Sequence, residues 1–140
     1  MPQPQNPLAG TWTLNVDRSR FDVNHQPKSG RMRIEIERDG SMVMTAQGVN
    51  EKGEPCTERP TRLNPDGRDY PVPDFPGLTV RTVTPDPHTL RTECRRENGT
   101  MVGAGTYVVS EDERSLTATT SGWDTQLREF KQTTVWDRES

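Results

Sequence analysis

Apolar and polar residues alternate along most of this chain, and the alternation predicts strands rather than helices. It is sharpest over residues 31–38, where Met32, Ile34 and Ile36 fall on one side and Arg31, Arg33, Glu35 and Glu37 on the other. A two-residue period sends successive side chains to opposite faces of a strand, one toward a core and one toward water. Residues 9–16 repeat the pattern with Trp12, Leu14 and Val16 on one face. In residues 88–96, Leu90, Thr92 and Cys94 oppose Arg91, Glu93 and Arg95. In the last run, residues 126–137, Phe130, Gln132, Thr134 and Trp136 oppose Glu129, Lys131 and Thr133. Weaker runs occupy residues 41–49, 56–63, 78–84, 100–110 and 115–121.

Turn chemistry separates the runs. Asp39-Gly40 is a hairpin signal, and Asn64-Pro65-Asp66-Gly67, Pro85-Asp86-Pro87 and Glu97-Asn98-Gly99 mark further reversals. Residues 17–20 suit one helical turn before Phe21, and the polar, proline-bearing residues 22–29 suit a loop. Pro60 weakens its strand, and Pro71, Pro73 and Pro76 keep residues 69–77 out of any central strand, leaving an ordered loop or a short edge segment. The sum is eight or nine antiparallel strands with no helix of consequence. Closing them into a single up-and-down β-barrel hides the edges, and a β-sandwich is the alternative. Residues 1–8 read as a flexible polar tail and 9–140 as the barrel domain.

Composition narrows this picture. At 140 residues the chain suits one domain, but only 28% of it is hydrophobic. Such poverty permits disorder only together with high net charge, and the formal charge here is −3. A folded, core-poor β protein results. Arg outnumbers Lys 15 to 3, yet the basic residues are interleaved with acids, so no positive stripe exists for nucleic acid. No apolar run approaches the ~20 residues that span a membrane. The polar start, Met-Pro-Gln-Pro-Gln-Asn-Pro, fits a cytoplasmic protein, or a periplasmic or secreted one whose signal peptide has been removed. In a simple meander one strand would separate Cys56 from Cys94, which is too far for a disulfide, so two free thiols are expected.

Three segments sharpen the class. Gly10-Thr11-Trp12-Thr13-Leu14-Asn15 with Ser19 and Phe21, Asp66-Gly67-Arg68-Asp69-Tyr70-Pro71-Val72, and Val108-Val109-Ser110 together span most of the chain. With them the sequence resembles a group of small bacterial lipocalin-like proteins that open G-T-W-x-L-N and carry a D-G-x-D-Y-P-V segment. The resemblance implies a calycin-like barrel and a small apolar ligand. It carries no catalytic residues across.

The inward face suggests what such a barrel does. Thr82, Thr92, Thr120, Gln132 and Thr134 share it with Met32, Met44, Leu90, Leu116 and Phe130, and such side chains fill space poorly. The expectation is a cavity with a few orienting polar groups, binding a small hydrophobic or amphipathic molecule in a monomer or homodimer. Its predicted lining is Met44, Thr82, Leu90, Thr92, Tyr107, Phe130 and Gln132, with Tyr70 and Phe75 from the proline-rich loop near the mouth. Trp12 is expected to plug the other end beside Trp136. An alternative is a cofactor-independent isomerase, cyclase or lyase, for which His88, Tyr70 and Asp74, with Asp69, are the acid and base candidates. A barrel filled with mutually satisfied side chains is a further alternative. His25 reads as a solvent-facing loop residue. Two histidines and two cysteines far apart match no zinc spacing, and no calcium-loop, nucleotide or dinucleotide motif is present, so neither metal nor cofactor is expected.

Overall fold

Alternation does become strands. The computed structural model describes residues 6–21, 26–57, 60–72, 75–123 and 129–139. Within them lie β1 (Gly10–Arg20), β2 (Ser29–Ile36), β3 (Met42–Val49), β4 (Pro55–Thr57), β5 (Thr61–Leu63), β6 (Asp69–Pro71), β7 (Leu78–Asp86), β8 (Thr89–Arg96), β9 (Met101–Val109), β10 (Ser115–Trp123) and β11 (Glu129–Arg138). All belong to one antiparallel sheet, ordered β4-β3-β2-β1-β11-β10-β9-β8-β7-β6, with β5 beside β3. Apart from β3 and β7, each long strand neighbours the next in sequence, and β1 meets β11, so the sheet is wound up and down. One continuous sheet excludes the two-sheet sandwich.

The strand count exceeds the expected eight or nine because short segments pair where prolines hid them. The single strand expected over residues 56–63 is two, β4 and β5, each pairing with a different half of β3. Pro60 lies between them and lacks the N–H that a continuous ladder needs. The expected meander therefore breaks here. Cys56 sits on β4 at one end of the sheet and Cys94 on β8, third from the other, and both are free thiols.

β1 also runs further than expected. Residues 17–20 continue the strand instead of forming a helical turn, across a register shift between Asn15 and Arg20. Ser19 makes this work: its hydroxyl donates to the Asn15 carbonyl at 2.7 Å and accepts the Val135 N–H at 2.8 Å. A side chain thus stands in for the ladder bond that the bulge removes.

Strand directions give the barrel two unlike ends. At one lie the 37–41, 64–68, 86–88 and 110–114 turns and the residues before β1. Here Trp12 is fully buried, and Leu8, Met32, Ile34, Met42, Leu63, Leu90, Val109 and Leu116 pack in the same cluster. Leu8, which falls in the expected tail, belongs to this core, and Trp12 Nε1 donates to its carbonyl at 3.3 Å. Arg138 closes the end from outside. Its guanidinium lies 4.2 Å from the centroid of the Trp12 ring and donates to the carbonyls of Pro7, Ala9 and Glu113.

The ends of the sheet, β4/β5 and β6, do not pair with each other among the described residues. The chain crosses between them at the 64–68 turn. Gly67 N–H donates to the Thr82 carbonyl at 3.0 Å, and Asp69 forms a two-pronged pair with Arg81 on β7. The Asp66–Val72 segment is therefore tied to β7, on one side of the gap.

Candidate functional site

Away from the Trp12 end the interior is hollow. A cavity of about 320 Å³ lies between β1, β2 and β3 on one side and β9, β10 and β11 on the other. On β10 and β11 the inward parity supplies Ala118, Thr120, Gln132, Thr134 and Trp136; on β3 it supplies Met44, Ala46 and Gly48. Leu14, Met32 and Tyr107 form the floor and far wall, and Phe21, Pro27 and Asn50 stand at the mouth. Small side chains make the room. Ala46 and Ala118 occupy positions where a larger residue would reach into the space.

Two glycines are fixed by close approach. A Cβ on Gly48 would sit 2.4 Å from the Ser29 carbonyl oxygen, so β2 and β3 approach as closely as they do only without one. A Cβ on Gly105 would meet the Tyr107 ring at 3.1 Å, which leaves Tyr107 folded back over β9 beside Thr92. Gly105 is thus the packing partner of a bulky neighbour.

The polar groups are few, and most are spoken for. Trp136 Nε1 donates to Thr134 Oγ1 at 2.9 Å, and that hydroxyl reaches the Ala118 carbonyl at 3.4 Å. At the mouth, Asn50 Oδ1 accepts the Lys52 and Glu54 N–H groups. Gln132 differs: its Oε1 is buried and has no hydrogen-bond partner. Among the described residues, no Asp, Glu, His, Lys or Arg lines the cavity. Cys56 lines its wall near the mouth as an exposed free thiol.

Of the residues expected from sequence to hold a guest, Met44, Tyr107 and Gln132 line the cavity. Leu90 is fully buried in the Trp12 cluster, and Thr82 is buried opposite Thr92 on the β7–β8 pair. Thr92 lies behind Tyr107 at Gly105. Phe130 packs near Gly122, its Cε1 3.6 Å from where a Cβ would stand there. Phe75 is 59% exposed on the open-end loop, and Trp123 is 51% exposed at the tip of β10. Trp136, Thr134, Ala118 and the glycine-lined β2–β3 wall complete the site.

The acid and base candidates do not converge on the cavity. His88 lies at the filled end, its Nδ1 3.1 Å from the Val109 carbonyl. Tyr70 donates to Asp66, and that bond holds the Asp66 carboxyl below its ordinary range, helped by the Arg68 N–H. The same bond raises the Tyr70 hydroxyl above its usual value. Asp69 is engaged with Arg81. Asp74 and His25 lie outside the described residues. No group of three or more His, Cys, Asp or Glu able to hold a metal occurs among the described residues.

No protein-family model and no curated protein sequence matches the chain. Solved structures do. The fluorescent protein UnaG is similar over 94% of this chain and 96% of its own, with a TM-score of 0.62 and 11% identity. A redesigned β-barrel, mFAP1, bound to DFHBI, is similar over 94% of this chain and 95% of its own, with a TM-score of 0.54 and 14% identity. Rv2717c from M. tuberculosis covers 96% of this chain and 94% of its own, at a TM-score of 0.54 and 11% identity. Identities this low speak to architecture alone, and the architecture is the antiparallel up-and-down β-barrel of lipocalin/calycin type.

Proposed function

We propose that this barrel binds a small, mainly apolar molecule in the cavity between Trp136, Tyr107 and Met44. The observation that carries the reading is a roomy interior in a chain that can ill spare buried surface. Its volume equals about ten waters' share of liquid and lies at the small end of the range of ligand pockets. The lining combines apolar contact surface with few polar groups, the usual composition of a small-molecule site. Two structural neighbours support it: mFAP1 holds DFHBI, and the siderocalin Ex-FABP, with a TM-score of 0.50, functions through dual ligand specificities. The resemblance to small bacterial lipocalin-like proteins points the same way. Catalysis lacks such support, because His88 and Tyr70 stand apart from the cavity in structural hydrogen bonds.

N-phenyl-1-naphthylamine, a neutral probe that brightens on leaving water, tests the reading. It should bind the wild-type barrel saturably. Ala46→Phe, which places a ring inside the cavity, should abolish the signal, whereas Phe130→Ala, outside the lining, should preserve it. Undiminished binding to a folded Ala46→Phe protein would remove the cavity as the site.

A further inference from the structure

Gln132 lies on β11, paired with Thr120 of β10, and both side chains face the cavity. Its Oε1 is the one buried side-chain polar atom without a hydrogen-bond partner among the described residues. A buried acceptor in that condition costs the desolvation of its lone pairs and gains nothing in return. A leucine or methionine of similar length would pack the same space without that penalty. The neighbouring Thr134 hydroxyl is committed to Trp136 and the Ala118 carbonyl, so it does not relieve the amide.

The rest of the lining restricts what can. With no Lys, Arg or His among the described lining residues, an anionic guest would enter an apolar space without a counter-charge. At the buried Oε1 a carboxylate would also bring only acceptor oxygens. Resting on the binding function proposed above, we infer that the cavity selects an uncharged guest bearing a hydroxyl or N–H, which donates to Gln132 Oε1. The guest class is therefore a neutral phenol, alcohol or amide-like N–H compound on a compact apolar skeleton, and fatty acids and other carboxylates are excluded.

Three probes of one skeleton test this by displacing N-phenyl-1-naphthylamine: 2-naphthol, 2-methoxynaphthalene and 2-naphthoate. The naphthol should bind roughly three- to tenfold more tightly than the methyl ether, the worth of one net hydrogen bond. The naphthoate should be the weakest at neutral pH. Gln132→Leu should erase the naphthol's advantage over the ether. Guest-free Gln132→Leu should also melt about 2–4 °C higher, because an unsatisfied polar group has been replaced. Equal affinity of naphthol and ether, or tight naphthoate binding, overturns the donor assignment and leaves the binding cavity standing. A lower melting temperature for Gln132→Leu would show the amide already satisfied without a guest and would overturn it too. Failure of all three probes and of N-phenyl-1-naphthylamine overturns the cavity reading itself.

Discussion

Cys56 and Cys94 show how far two identical side chains diverge with their surroundings. Cys56 is exposed on β4 and lines the cavity wall, whereas Cys94 faces inward on β8, where burial pushes its thiol above the usual range. The thiolate is the reacting form, so a maleimide should modify Cys56 first and Cys94 only slowly. Intact-mass spectrometry should show one rapid adduct, lost in Cys56→Ser. A bulky adduct there should also weaken N-phenyl-1-naphthylamine binding, and undisturbed binding would place the mouth elsewhere. At this scale the sequence was readable in one dimension only. Parity separates inward from outward residues on most strands, which is why Met44, Tyr107 and Gln132 fall among the lining, but at the β1 register shift Val16, expected on the face of Trp12 and Leu14, is 38% exposed. Depth along the barrel is a matter of register between strands, and alternation does not encode it. Leu90 and Tyr107 are directly paired, yet Leu90 sits in the core and Tyr107 lines the hollow. Ala46 and Ala118 escape a search for contact residues because they contribute space, and Gly48 because it lets β2 and β3 approach.

Secondary elements carry their own devices, and β11 carries the most. Its Arg138 stacks on Trp12 and ties down the segment before β1 through the Ala9 carbonyl at 2.7 Å and the Pro7 carbonyl at 2.5 Å. Arg138→Ala leaves the Trp12 face uncovered and three carbonyls short of a donor, and should cost about 2–4 kcal/mol. Urea unfolding measures that loss, and probe binding should survive it because the cavity opens at the other end. Gly48→Val should act in the opposite sense to that separation. Its side chain has no room against the Ser29 carbonyl, so β2 and β3 must part beside the cavity, and both stability and binding should fall. The long strands were legible because each runs eight residues or more between turn signals, several with clear alternation. β4 and β5 were read as one strand, and β6 only as a loop or short edge segment, since each has three residues and Pro55 and Pro71 lie within two of them. Too short to show a period, they are strands by virtue of their partners β3 and β7. The Asp66–Val72 motif was visible as a signature, but its attachment to β7 depends on Arg81 and Thr82, which the motif does not contain.

The molecule as a whole is filled at one end and hollow at the other, and its exposed turns set its response to pH. Asp39, Asp66, Asp112 and Glu139 are all held below their ordinary values, mainly by hydrogen bonds from Ser41, Tyr70, Ser110 and Arg31 respectively. A carboxylate with a depressed folded value contributes stability that is complete above its unfolded value and is lost as pH falls through the folded one. Tyr70 works in the other direction: its raised hydroxyl contributes below its unfolded value and is lost as pH rises through the folded one. Stability should therefore be level from about pH 5 to about pH 9 and decline outside those bounds. Tyr70→Phe isolates the share of the turn into β6. Removing the hydroxyl takes away the leading cause of the Asp66 depression, so the variant should be weaker than wild type at pH 7. At pH 3 Asp66 is closer to neutral in both proteins, and the gap in urea midpoint should shrink. A gap that stayed constant from pH 7 to pH 3 would mean that Tyr70 contributes by packing alone, and that the Asp66 charge has no part in stabilising the turn into β6.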